Sequence, residues 1–177
     1  MSELDWIILG GGQHEISTDL YVSPTHSMYI SLSSNYKIFI YNGKTDIVDT
    51  DVTSYIYENM SMPFTLLLVR MQQTDAFDNC YEASIGTHYA RIHRVQNGTW
   101  TLLAESSKPV ADNNWVHWKF RVTGNTLELY RESDGSWQKI LQVDDDTFTS
   151  GAAGFGGRCD DSGRHVYFDD VQISEQV

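Results

Sequence analysis

The chain has 177 residues, with 12 Lys and Arg against 24 Asp and Glu, a net charge of −12. That length suits one domain spanning residues 1–177 with a sizeable core, and so acidic a surface repels phosphate backbones and anionic lipid, so neither nucleic acid nor membrane is expected as a partner. No run of about 20 apolar residues occurs, which argues against a membrane-spanning helix.

The N-terminal run Met1-Ser2-Glu3-Leu4-Asp5-Trp6 lacks the basic and apolar regions of a signal peptide. An extracellular protein with this sequence would need a removed leader, or release by lysis as for a virus particle. Gly10-Gly11-Gly12 ends a first short apolar run, and Pro24 precedes a strand at 27–32. Residues 35–41 alternate before an Asn42-Gly43 turn, and 54–58 is a further candidate strand. The nearly continuous apolar run from Phe64 to Gln72 predicts a strand buried on both faces. Strands at 81–85 and 88–95 lead to Asn97-Gly98, the strongest hairpin signal, because a type I′ turn needs positive φ at both central residues.

Strand 115–122 places Val116, Trp118, Phe120 and Val122 on a core face and Trp115, His117, Lys119 and Arg121 on a wet one. Gly124-Asn125 turns the chain, and Leu127 and Leu129 return to the core. A glycine-studded run covers 150–157. The last strand breaks parity: Val166, Phe168 and Asp170 share one face, while Val171 and Ile173 take the other. A β-bulge near Asp169-Asp170 would restore the pattern. Turn signals recur at the spacing of about 8–12 residues expected of an all-β sandwich.

Leu67-Leu68-Val69-Arg70-Met71-Gln72, Asp78-Asn79-Cys80-Tyr81 and Arg94-Val95-Gln96-Asn97-Gly98-Thr99-Trp100 resemble the middle of concanavalin A-like (laminin G-like) jelly rolls. Trp115, Val122-Thr123-Gly124-Asn125, Phe148-Thr149-Ser150-Gly151, Gly154-Phe155 and Phe168-Asp169-Asp170-Val171 are similar to their ending. The resemblance implies an all-β fold, a two-sheet antiparallel jelly-roll β-sandwich. It does not name a function, because that superfamily holds lectins, carbohydrate-binding modules, hydrolases, lyases, adhesion domains and virion surface proteins. In the family a Ca²⁺ often sits where the last strand meets N-terminal segments, which implicates Asp169 or Asp170, with Asp5, Glu15 or Asp19 as N-terminal partners.

Retaining glycosidases of this superfamily show Glu-x-Asp-x-x-Glu, two of whose acids act about 5 Å apart. Glu132-Ser133-Asp134 begins such a pattern, but Trp137 stands where the third acid belongs, and the segment reads as a turn. The chain is therefore expected not to be an enzyme. A polysaccharide lyase could use His88, Tyr89, Arg91 and His93, but a solvated strand face explains that group as well. Sugar recognition needs an aromatic plate and planar polar groups. Tyr89, Arg91 and His93 on one strand and Trp115 and His117 on another offer both, joined by Arg70 and Gln72 if the sheet order follows the family.

Acidic clusters at Asp49/Asp51, Asp144-Asp145-Asp146 and Asp160-Asp161 suit Ca²⁺ but match no defined loop. Cys80 and Cys159 form no zinc motif and are either bridged or two buried thiols. The sequons Asn59-Met60-Ser61 and Asn97-Gly98-Thr99 are read as chance. The expected function is recognition or adhesion, with a glycan as ligand, Ca²⁺ fixing loops, and display on a virion or cell surface as a monomer or oligomer. The alternatives are a structural decoration protein of a larger assembly with a protein partner, and a polysaccharide-cleaving enzyme.

Overall fold

The computed structural model describes residues 6–23, 26–32, 36–41, 44–59, 63–108, 113–159 and 164–176. The expected Asn42-Gly43 turn, the Asp160-Asp161 cluster, Asp5, Pro24 and most of the first sequon lie outside them. Among these residues, alternating side chains and tight turns produce fourteen strands in two antiparallel sheets of seven. Sheet A runs in the order β1 (Trp6–Gly10), β4 (Tyr36–Tyr41), β13 (Ala152–Arg158), β6 (Phe64–Met71), β7 (Asn79–Ile85), β8 (Tyr89–Gln96) and β9 (Thr99–Ser107). Sheet B runs β12 (Ser136–Asp144), β11 (Thr126–Ser133), β10 (Asn114–Thr123), β5 (Thr50–Glu58), β14 (Arg164–Glu175), β3 (Ser27–Leu32) and β2 (Gln13–Ser17).

The two inner faces interdigitate. Phe39, Leu67, Tyr81, Ile92 and Phe155 of sheet A meet Ile30, Ile56, Trp118, Phe120, Leu129 and Phe168 of sheet B in one buried cluster. Opposite parity sends Ile38, Ile40, Leu66, Leu68, Cys80 and Val95 to the outer face of sheet A, where Phe77 from the β6–β7 connection packs over them. That cover explains why the 64–71 run, Thr65 and Arg70 apart, is apolar on both faces. Cys159 belongs to the central cluster and Cys80 to the outer one, so no bridge links them.

Local chemistry fixes the turns. Asn97 and Gly98 have φ of 50° and 70°, and Asp134 and Gly135 have 51° and 73°, the left-handed pairs that two-residue hairpins require. Glu132 and Ser133 end strand β11 before that second turn, so the pattern read as a turn is partly strand. In β13, a Cβ on Gly154 or Gly156 would lie 2.3 or 2.2 Å from a carbonyl oxygen of β4, which is why this central strand is glycine-rich. The parity break in β14 is a bulge: register shifts between Asp169 and Gln172, and Asp170 has φ of 47°.

Candidate functional site

The alternation in β10 delivers Trp115, His117, Lys119 and Arg121 to the outer face of sheet B. Their direct cross-strand neighbours on β5 are Tyr57, Tyr55, Thr53 and Asp51. On the other side His117 meets Glu132 of β11, which faces Trp137 of β12. Side chains on this face therefore form rows across the strands.

The first row is aromatic. Tyr29 of β3 faces Tyr167 of β14 with centroids 5.1 Å apart. Tyr167 lies 6.0 Å from Tyr57, and Tyr57 lies 5.5 Å from Trp115. All four rings are half-buried. In the second row, the His117 ring stacks on Tyr55 at 4.1 Å and lies 4.7 Å from Trp137, while its Nδ1 donates to Glu132 Oε2 at 2.8 Å. Burial, then the Glu132 and Asp170 charges, push the Tyr55 phenol up.

Further along the strands the rows become ionic. The Lys119 ammonium sits over the rings of Tyr130 and Trp137, and burial, then the Arg121 charge, lowers its pKa. Arg121 donates twice to Asp51, at 2.7 and 2.6 Å. A cleft of about 310 Å³ opens at the aromatic end, lined by Tyr55, Trp115, His117, Arg131, Glu132 and Asp134. It offers ring faces and edges beside carboxylates and a guanidinium, a mixed lining suited to a polyhydroxylated ligand.

Tyr89, Arg91 and His93 also share an outer face, but on sheet A. The expected single patch is thus divided between opposite sides of the sandwich, because β8 pairs with β7 and β9 and β10 pairs with β5 and β11. On sheet A the centre is Glu82, fully buried and not anticipated from the sequence. It accepts from Trp100 Nε1 at 3.0 Å and pairs with His93 and Arg158, each at 3.4 Å. Burial pushes this carboxyl up, but the His93 hydrogen bond, the Arg158 charge and Trp100 outweigh it and hold it below the ordinary glutamate range. Its signal was a lone acid in an otherwise apolar or small strand. Arg91 pairs with Glu105 at 2.5 Å and lies over the rings of Tyr89 and Phe64.

Arg70 and Gln72 join neither face. Arg70 is 1% exposed and donates to the carbonyls of Val48, Phe148 and Gly124 at 3.0, 2.7 and 2.6 Å. It fastens three loops at one end of the sandwich. Gln72 donates to the carbonyls of Arg70 and Ser150.

Asp169 does not fit the expected calcium role. Its Oδ2 accepts from the amides of Val22 and Ser23 at 2.6 and 2.8 Å. Its Oδ1 accepts from Ser23 Oγ and the Asp170 amide at 2.7 and 2.8 Å. With four donors on two oxygens, the carboxylate already holds the loop that an ion would hold. Asp170 points to the exposed side of the bulge, and among the described residues no group of three acids, histidines or cysteines could hold a metal.

Solved structures share the architecture, among them the following three. The carbohydrate-binding module CBM66 from Bacillus subtilis superposes with a TM-score of 0.72 at 16% identity, over 97% of this chain and 96% of that one. The cellulose-induced protein Cip1 gives 0.70 at 14%, over 99% and 94%. The exoplasmic/lumenal domain of VIP36, in a form bound to Ca²⁺ and Man3GlcNAc, gives 0.67 at 11%, over 99% and 87%. The fold is a concanavalin A-like jelly roll. No family model and no curated protein matches the chain. Within this concanavalin A-like sandwich, the face of sheet B carries the largest array of part-exposed rings among the described residues.

Proposed function

We propose that this chain is a non-catalytic glycan-binding domain whose ligand lies on the outer face of sheet B. The observation that carries the reading is the cross-strand row of half-buried aromatics ending at the Trp115–His117–Glu132 cleft. A sugar presents an apolar ring face and a rim of hydroxyls. Ring planes match the first, and carboxylate, imidazole and guanidinium groups match the second. Three acids of this face are tied to a cation or ring nitrogen: Glu132 to His117, Asp51 to Arg121, Glu128 to Lys139. That supports binding over hydrolysis. The exoplasmic/lumenal domain of VIP36, of the same fold, supports a ligand met outside the cytoplasm, where several copies would add avidity.

A glycan array followed by titration calorimetry tests this. Trp115→Ala is expected to weaken binding at least about tenfold, a loss of about 1.4 kcal/mol, with thermal unfolding little changed. Silence across a broad neutral and acidic array, or turnover of an arrayed polysaccharide, would overturn it.

A further inference from the structure

We infer that the ligand is the interior of an extended, uncharged polysaccharide chain lying across the strands of sheet B, rather than a chain end or a single sugar. This rests on the glycan-binding reading above and adds the length, charge and direction of the ligand.

Direction comes from register. Tyr29, Tyr167, Tyr57 and Trp115 come from β3, β14, β5 and β10, adjacent strands, at directly opposed positions. Their line runs perpendicular to the strands. Length comes from what the row connects. Trp115 lines the cleft at one end, and Tyr29 lines a second cleft of about 580 Å³ at the β2 edge, with Gln13, Glu15, Ser31 and Lys37. From β2 to β11 there are five strand spacings of about 4.8 Å, about 24 Å in all. That is several sugar rings, far beyond one residue.

The ring angles exclude a flat crystalline surface as ligand. Neighbouring rings in the row are turned by 55°, 77° and 67°. No single plane can lie on all four, whereas a free chain whose units rotate along its length can meet each in turn. Charge follows from the clefts. Glu15 lines one, and Glu132 and Asp134 line the other. Lys37 in the first cleft and Arg131 in the second offset this charge without reversing it, and Arg121 and Lys139 hold carboxylates, so neither cleft carries a surplus of cationic side chains over carboxylates. In a chain of net charge −12, such a groove repels uronate or sulfated polymers.

The test is calorimetry with gluco-, xylo- and manno-oligosaccharides of two to six units, with and without blocked ends. Affinity in the recognised series is expected to rise by at least about tenfold from dimer to hexamer and to survive end-blocking. Tyr29→Ala, backed by Tyr29→Leu in case the alanine variant is unstable, should remove the gain for the hexamer and leave the dimer unchanged. Trp115→Ala should weaken both. A dimer binding as tightly as the hexamer, loss on end-blocking, an unaffected hexamer in both Tyr29 variants, or tighter binding of oligouronates would overturn this inference alone. Absence of binding to any glycan would overturn the reading beneath it.

Discussion

Glu82 is a full negative charge removed from water, and it persists because three donors converge on it: the Trp100 indole, the His93 imidazole and the Arg158 guanidinium. Arg158 in turn lies over the rings of Phe64 and Trp100 at 5.3 Å each. Removing one partner of such a buried set leaves the others uncompensated, so Glu82→Gln should cost about 3–5 kcal/mol in urea unfolding. The pH dependence has a definite sign. The folded carboxyl titrates below its unfolded value, so its contribution is fully present above the ordinary glutamate range and is lost as pH falls through the lower folded value. The wild type should lose stability in acid by an increment that Glu82→Gln lacks. Tyr89, Arg91 and His93 were legible as one face because the pleat alternates with period two. Glu82 was not, since a single acid between Tyr81 and Ala83 gives no hint of the tryptophan that reaches it.

At the scale of elements, β14 carries a clasp and a bulge side by side. Asp169 is the last residue in register before the extra one, and its carboxylate holds the backbone of residues 22–23, while the extra residue re-phases Val171 and Ile173. Asp169→Ala should therefore destabilise by about 3 kcal/mol through its lost charge-assisted hydrogen bonds. Its wild-type counterpart should melt at the same temperature in millimolar Ca²⁺ or chelator. A calcium-dependent melting shift that Asp169→Ala abolishes would refute the clasp as metal-free. The bulge was readable from Val166, Phe168, Val171 and Ile173. What Asp169 does beside it was not, because its partners lie 146 and 147 residues away.

For the whole molecule, the two sheets are tied where the chain crosses between them after β12. The Tyr81 hydroxyl, from sheet A, donates to Asp145 Oδ1 at 2.6 Å and accepts from the Phe148 amide at 3.0 Å, while Arg94 pairs with Asp145. Burial, then the hydrogen bond to Asp145, push the Tyr81 phenol up to about 12. Its contribution to stability is complete below the unfolded tyrosine value of about 10 and is lost as pH rises through about 12. Alkaline titration of the unfolding free energy should show that fall in the wild type and a flatter profile in Tyr81→Phe, which starts lower at neutral pH. A second tie, Lys108 with Glu58 at 2.7 Å, joins the ends of β9 and β5, and Trp118 Nε1 donates to the same carboxylate. The sandwich itself was legible from alternation and turn chemistry at Asn97-Gly98 and in strand β10. The site was legible only in pieces: Trp115 and His117 were read correctly as outward-facing, but the residues beside them depend on strand order, which is set by long-range pairing and leaves no local trace.

That strand order also bears on how the protein is born. β13 lies between β4 and β6, and β14 lies between β3 and β5, so the last two described strands in chain order take interior places in the two sheets. Until a ribosome has delivered residues 152–175, each sheet lacks the strand that joins a two-stranded piece to a four-stranded one, and the edges beside that gap have no partner. Completion of the sandwich is therefore a late event in synthesis, and the unfinished chain carries those hydrogen-bonding edges unpaired until then.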